Sequence, residues 1–326
     1  MRRVFVWIGR LLAFLILTFL AIWALGPRDR LDVAIAFDAS KLPGSLDTYL
    51  STRELIFSDI TPGTEKRIVW AGQPEARTPL AIVYLHGFSA TSEEIRPLPD
   101  DVAAALGANL YFTRLAGHGR DGAALAAVTP EDWVLDLDEA LAIGRQIGDR
   151  VILIGTSTGG TLAALAAVDP ARAEGLAGVV LVSPNFRLAP AASVILDLPW
   201  ARKWGPWVAG AEQDFPPRNE DHARFWTMRY PTTALFPMAT LTRAVRAMDF
   251  AEARVPALFL YAPEDQVCDQ ALTAGIAAVW GAPTVTHNPV LTDRDDPYRH
   301  VVAGRILSPD QTAPLTGVIL DWATAL

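Results

Sequence analysis

The sequence holds a single cysteine, Cys268, in 326 residues, which excludes an intramolecular disulfide framework and any metal site built from several thiolates. Cys268 itself reads as a small buried hydrophobe, and nothing around it marks a second nucleophile. Histidine is scarce too, with only five in the chain, so a catalytic base has few candidates. Positive charge is neither abundant nor clustered. Against 28 Lys and Arg stand 36 Asp and Glu, a formal net charge of −8. Such a balance argues against a nucleic-acid partner, because binders of phosphate gather cations that release counterions. Internal repeats and low-complexity tracts are also missing, and a 51% hydrophobic content favours a packed core over disorder.

One long apolar run stands at the N-terminus. Val4 to Leu25 approaches the roughly 20 residues needed to cross a bilayer core, and Arg10 is placed to snorkel toward the headgroups. Residues 1–30 are therefore expected to anchor the chain in a membrane by a single pass. The arginines at 2, 3 and 10 put the N-terminus in the cytoplasm and residues 31–326 outside, against a weaker pull from Arg28 and Arg30. A cleaved signal peptide and secretion is the alternative: Ala24 and Gly26 have small-x-small spacing, but Pro27 would follow the cut. A third reading, a buried N-terminal helix, would leave three arginines to accommodate.

Beyond Thr52 short apolar runs alternate with alanine-rich stretches, the pattern of α/β architecture. Strands are expected at 54–59, 67–71, 80–85, 110–114, 151–155, 178–182, 257–261 and, more weakly, 284–290. The runs LAIVYL, VILIG and GVVLVS are apolar throughout, as strands covered on both faces should be. Helices are expected at 92–105, 130–147, 158–168, 269–279 and 313–325. Residues 187–255 break the alternation with no clear strand and many aromatics, among them Trp200, Trp204, Trp207, Trp226 and Tyr230. So long a stretch reads as an inserted helical lid over an apolar site, since leaving those rings on an irregular surface loop would be costly.

The chemistry begins at VILIGTSTGGTLAALAAV, where Gly155, Ser157 and Gly159 form G-x-S-x-G between a strand and a helix. In that setting a tight turn strains the serine and lifts its Oγ above the sheet, with the helix N-terminus facing any developing oxyanion. Two amides should hold that oxyanion. One is Thr158, after the nucleophile; the other is Phe88, in the loop that closes the strand at LHGF, where Gly87 lets the backbone approach the substrate. His86 and His118 are expected to be structural. The order Ser, acid, His leaves His300, in DDPYRHVVAG, as the base, because His222 precedes the acid and His287 lies in a strand. Asp265, just after the strand FLY, is the expected acid; Glu264 stands next, with Asp295 and Asp296 behind it.

HGF at 86–88, LAGHG at 115–119, GTSTGG at 155–160, PEDQV at 263–267 and RHVVAG at 299–304 together resemble the α/β-hydrolase superfamily, its carboxylesterase and monoacylglycerol-lipase-like branch, over about residues 53–326. The resemblance implies an eight-stranded, mostly parallel sheet with a lid inserted after the sixth strand. It also implies a triad of Ser157, Asp265 and His300 acting on carboxylic esters, with no cofactor or metal and an apolar acyl substrate. Thioester, amide or acyl-transfer chemistry on the same triad is the alternative, as is a non-catalytic, membrane-tethered binding protein. Threonines at 156 and 158 depart from the commoner GHSMG elbow, which makes esterase activity a safer expectation than lipase activity on long chains.

Overall fold

A computed structural model describes residues 2–326, so Met1, the first residue of the expected anchor, lies outside the described residues. Helix α1 (Arg2–Leu25) carries the apolar run. Its described side chains are all exposed, which overturns the reading of a buried N-terminal helix. Then follow α2 (Leu46–Glu54), β1 (Arg67–Val69), β2 (Thr78–Leu85), α3 (Leu98–Leu106), β3 (Asn109–Phe112), α4 (Gly122–Ala126), α5 (Pro130–Ile147), β4 (Gly148–Thr156), α6 (Thr158–Val168), α7 (Pro170–Ala173) and β5 (Leu176–Val182). The inserted stretch holds a 3-10 segment (Ala191–Asp197), α8 (Ala201–Ala209), β6 (Glu212–Asp214), α9 (Glu220–Phe225), β7 (Arg229–Pro231) and α10 (Leu235–Arg246). The chain closes with β8 (Ala257–Leu260), α11 (Gln270–Val279), β9 (Thr284–His287) and α12 (Pro309–Ala323).

Among the described residues seven strands make the main sheet, in the order β1-β3-β2-β4-β5-β8-β9. Only β1 is antiparallel to its neighbour. The period of two along a strand divides the apolar runs between two cores. Ala81, Val83 and Leu85 of β2 face one side with Val151 and Leu153 of β4, against α5 and α6. Ile82 and Tyr84 face the other with Ile152 and Ile154, against α3 and α12. Each face buried in this way explains why the central strands contain no polar alternation. Helix α5 starts where its residues say it should: Thr129 and Asp132 cap each other and Pro130 occupies the first turn.

Three expectations need correction. The run at 54–59 is not a strand. Glu54 ends α2 and turns inward, where its carboxylate takes both ends of the Arg114 guanidinium at 2.7 and 2.8 Å, while Leu55 and Ile56 point to solvent. The sheet accordingly has seven strands instead of eight, and the insertion follows its fifth strand, not its sixth. Nor is the insertion without strands, since β6 and β7 pair as a short antiparallel ribbon. The helix expected over 92–105 begins only at Leu98, because Pro97 and Pro99 fit a helix start and not its interior.

Residues 26–30, counted above with the N-terminal segment, pack on the insertion. Trp200 donates its N–H to the Pro27 carbonyl at 3.0 Å, Arg28 reaches the Asp197 carbonyl at 3.2 Å, and Arg202 pairs with Asp29 at 2.8 Å.

Candidate active site

Ser157 sits between β4 and α6 with φ 52° and ψ −114°, a backbone conformation that costs an L-residue on the order of 1–3 kcal/mol. The turn is so tight that only glycine fits beside it. A Cβ on Gly155 would lie 2.3 Å from the Gly159 carbonyl oxygen, and one on Gly159 would lie 2.1 Å from that of Leu85. Thr158 is the first residue of α6, so its N–H precedes the helix's own hydrogen bonding. Phe88 lies across the cavity on the loop after β2, and among the described residues its N–H has no acceptor.

Asp265 and His300 come together from different loops. Asp265 follows β8, and its Oδ2 meets His300 Nδ1 at 2.8 Å. The carboxylate is fixed on every side: Oδ1 accepts the Val267 and Cys268 amides at 2.7 and 3.0 Å, and Oδ2 also accepts the Gln270 side chain at 2.7 Å. Asp296 holds the histidine's own backbone, accepting the N–H groups of His300 and Val301 at 3.0 and 2.9 Å. Burial of the ring opposes its positive charge, but the neighbouring Asp265 carboxylate outweighs that, and the imidazole binds its proton well above the usual histidine range. The other acid candidates stand elsewhere. Glu264 is exposed, and Asp295 is occupied by Thr292.

Ser157, His300, Phe88 and Asp296 border one cavity of about 310 Å³, walled mostly by apolar groups such as Leu188, Phe215, Trp226, Leu235 and Met238. Broader hollows of about 460 and 680 Å³ run past Glu54 and Lys66, but neither touches Ser157, Asp265 or His300, so the smaller space is the candidate site.

The two upstream histidines are tied into structure. His86 Nε2 accepts the Leu115 N–H at 3.1 Å, which leaves Nδ1–H to donate to the Gly87 carbonyl at 2.9 Å. His118 lies buried against Phe88 and Trp133, and burial lowers its affinity for a proton to a pKa of about 4.

Three neighbours of the site escaped sequence reasoning. Cys268 lies with its Sγ, an Asp265 oxygen and a His300 nitrogen all within 4.8 Å of one another. Burial raises its thiol above the usual value, so it remains protonated at neutral pH. Asn185 borders the cavity with its Oδ1 buried and unpartnered among the described residues. Glu94 is buried at the cavity wall, where loss of water pushes its carboxyl up to about 7. Only Cys268 carried any signal, its place three residues past Asp265.

Residues 76–286 match a family described as serine aminopeptidase, S33. A curated relative, the thermostable monoacylglycerol lipase of Bacillus sp. (strain H-257), is 33% identical over 84 residues, a match spanning 26% of this chain and 33% of that protein. The chain thus covers only about a third of that relative. Among solved structures, one described with LipS and LipT, two metagenome-derived lipolytic enzymes, superposes with a TM-score of 0.67 at 22% identity, covering 82% of this chain and all of the other (100%). A soluble variant of monoglyceride lipase from Saccharomyces cerevisiae gives 0.60 at 12% identity over 80% of this chain and 90% of its own. These likenesses place the fold among the α/β-hydrolases.

Proposed function

Because this chain belongs to the serine hydrolase family described as serine aminopeptidase, S33, we propose that it cleaves carboxylic esters with apolar acyl groups, with Ser157 as nucleophile, His300 as base and Asp265 as the acid that orients it. The observation that carries the reading is the Asp265–His300 pair at 2.8 Å, whose histidine borders the same mostly apolar cavity as a serine held at positive φ. Ser157 Oγ attacks the ester carbonyl and passes its proton to His300. The Phe88 and Thr158 amides receive the oxyanion, and His300 returns the proton to the departing alkoxide. Water then attacks the acyl-enzyme by the same route. Apart from that water, these steps use only groups of this chain.

Ester cleavage is favoured over peptide cleavage by the apolar walls and by the lipase relative, and residues 187–255, which supply Leu188, Phe215, Trp226, Leu235 and Met238, act as the lid. A cavity of this size suits a short or medium acyl chain. Hydrolysis of p-nitrophenyl esters from acetyl to palmitoyl should therefore peak below the longest chains. A maximum at palmitoyl would contradict the size argument, and no hydrolysis of any ester by the folded protein would contradict the ester reading.

The N-terminal helix is read as a single membrane anchor, with the catalytic domain on the side away from the cytoplasm. Its 24 residues span about 36 Å, enough for a hydrocarbon core of about 30 Å. Deleting residues 1–25 should release a soluble, active protein while keeping the contacts of residues 26–30 with Asp197 and Arg202. Recovery of the full-length chain in the soluble fraction, without detergent, would contradict the anchor.

A further inference from the structure

Glu94 is a carboxylate with no part in the steps above, yet it is 2% exposed and borders the same cavity as Ser157. A buried ionisable group must be held by hydrogen bonds or it destabilises the fold, so its partners are informative. Its Oε2 accepts the Gly87 N–H at 2.7 Å and the Tyr84 hydroxyl at 3.1 Å. Since Tyr84 spends its proton on Glu94, the Thr156 hydroxyl, also at 3.1 Å, is left as donor to the Tyr84 oxygen. Gly87 immediately precedes Phe88, and Thr156 immediately precedes Ser157 and Thr158. One short chain of hydrogen bonds therefore joins the two loops that carry the Phe88 and Thr158 amides. Packing leaves no slack there: a Cβ on Gly87 would fall 2.6 Å from Glu94 Oε1 and 3.1 Å from the Ser157 Cβ.

Resting on the reading of Ser157 as the nucleophile, we infer that Glu94 is a positioning residue, which through Gly87 and the Tyr84–Thr156 bridge sets the spacing of the two amides that receive the oxyanion. Its distinctive consequence is selectivity for the transition state. The bridge runs through backbone and elbow, and Glu94 is a polar part of the cavity lining, so losing it should loosen the oxyanion's donors while leaving the apolar contacts that bind the substrate in place. The raised carboxyl supports this arrangement, because a group near its midpoint at neutral pH puts less negative charge beside a developing oxyanion than an ordinary glutamate would.

The test uses the full chain in detergent and compares wild type, Glu94→Ala, Glu94→Gln and Tyr84→Phe. Readouts are ester turnover and inhibition by a trifluoromethyl ketone, whose carbonyl carbon bonds to Ser157 Oγ as the serine proton moves to His300 and the ketone oxygen becomes an oxyanion. Glu94→Ala should lower kcat by roughly 10- to 100-fold, as small displacements of catalytic groups do, weaken the ketone to match and leave KM within about threefold. Glu94→Gln retains an acceptor oxygen for Gly87 and should recover most of both losses. Tyr84→Phe removes the hydroxyl that joins Glu94 to Thr156 but keeps the Glu94–Gly87 bond, and should give a smaller loss, of about fivefold. That variant also carries the test if Glu94→Ala fails to fold. Unchanged kcat and ketone affinity in Glu94→Ala, or in Tyr84→Phe where the alanine variant does not fold, would overturn the inference while Ser157-dependent hydrolysis still stood. Absence of Ser157-dependent hydrolysis in wild type would overturn the catalytic reading and this inference with it.

Discussion

Ser157→Ala is expected to lower ester turnover on the order of 10⁶-fold, the scale seen when the nucleophile of a serine triad is removed. The loss should come without unfolding, because the elbow does not depend on the hydroxyl. Its backbone N–H donates to the Val182 carbonyl at 2.9 Å and its carbonyl accepts from Asn185 at 3.0 Å, and alanine keeps both. Alanine carries the same positive-φ strain as serine, so the melting temperature should move little. Turnover within tenfold of wild type would mean that another group attacks the ester.

Asp265→Asn should cost about 10⁴-fold in kcat, the scale of losing the correct imidazole tautomer. The amide oxygen of asparagine can still accept the Val267 and Cys268 amides, so the loop after β8 survives. Its NH2 group would then stand where Oδ2 does, facing donors on both Gln270 and His300 Nδ1. The imidazole must turn over or flip its tautomer to avoid that clash of donors, and Nε2 no longer presents a lone pair to the serine. The pH profile gives an independent reading. In wild type the Asp265 carboxylate holds the proton on His300 well above its ordinary value, so the basic form is lost as pH falls through that raised value, and activity should climb into the alkaline range. Without the carboxylate the proton leaves more easily, and the acid limb of the residual activity should move to lower pH. An unmoved limb would show that Asp265 does not face the working histidine.

Much of this site was legible because the chemistry writes itself into short segments. The elbow combines an apolar strand, two glycines that admit no Cβ and a buried alanine-rich helix, all contiguous in sequence. Asp265 and His300 follow strand ends, where parallel α/β sheets put their loops. What escaped was tertiary. Leu55 and Ile56 look like strand residues, but the charge pairing of Glu54 with Arg114 turns that segment outward. The ribbon of Glu212–Asp214 and Arg229–Pro231 is three residues per strand, too short for any alternation to register. Glu94 falls inside the helix expected over 92–105, whereas the loop after β2 folds it under Gly87. Cys268 is near Asp265 in sequence, but its approach to His300 depends on two loops meeting.

The most direct test of the central claim is covalent labelling. The full-length protein, in detergent, is treated with a fluorophosphonate and the adduct is located by peptide mass mapping. The account predicts one modified site, Ser157, with labelling abolished in Ser157→Ala and strongly slowed in Asp265→Asn. A folded protein that takes no label, or takes it at another residue, would contradict the assignment of Ser157 as nucleophile.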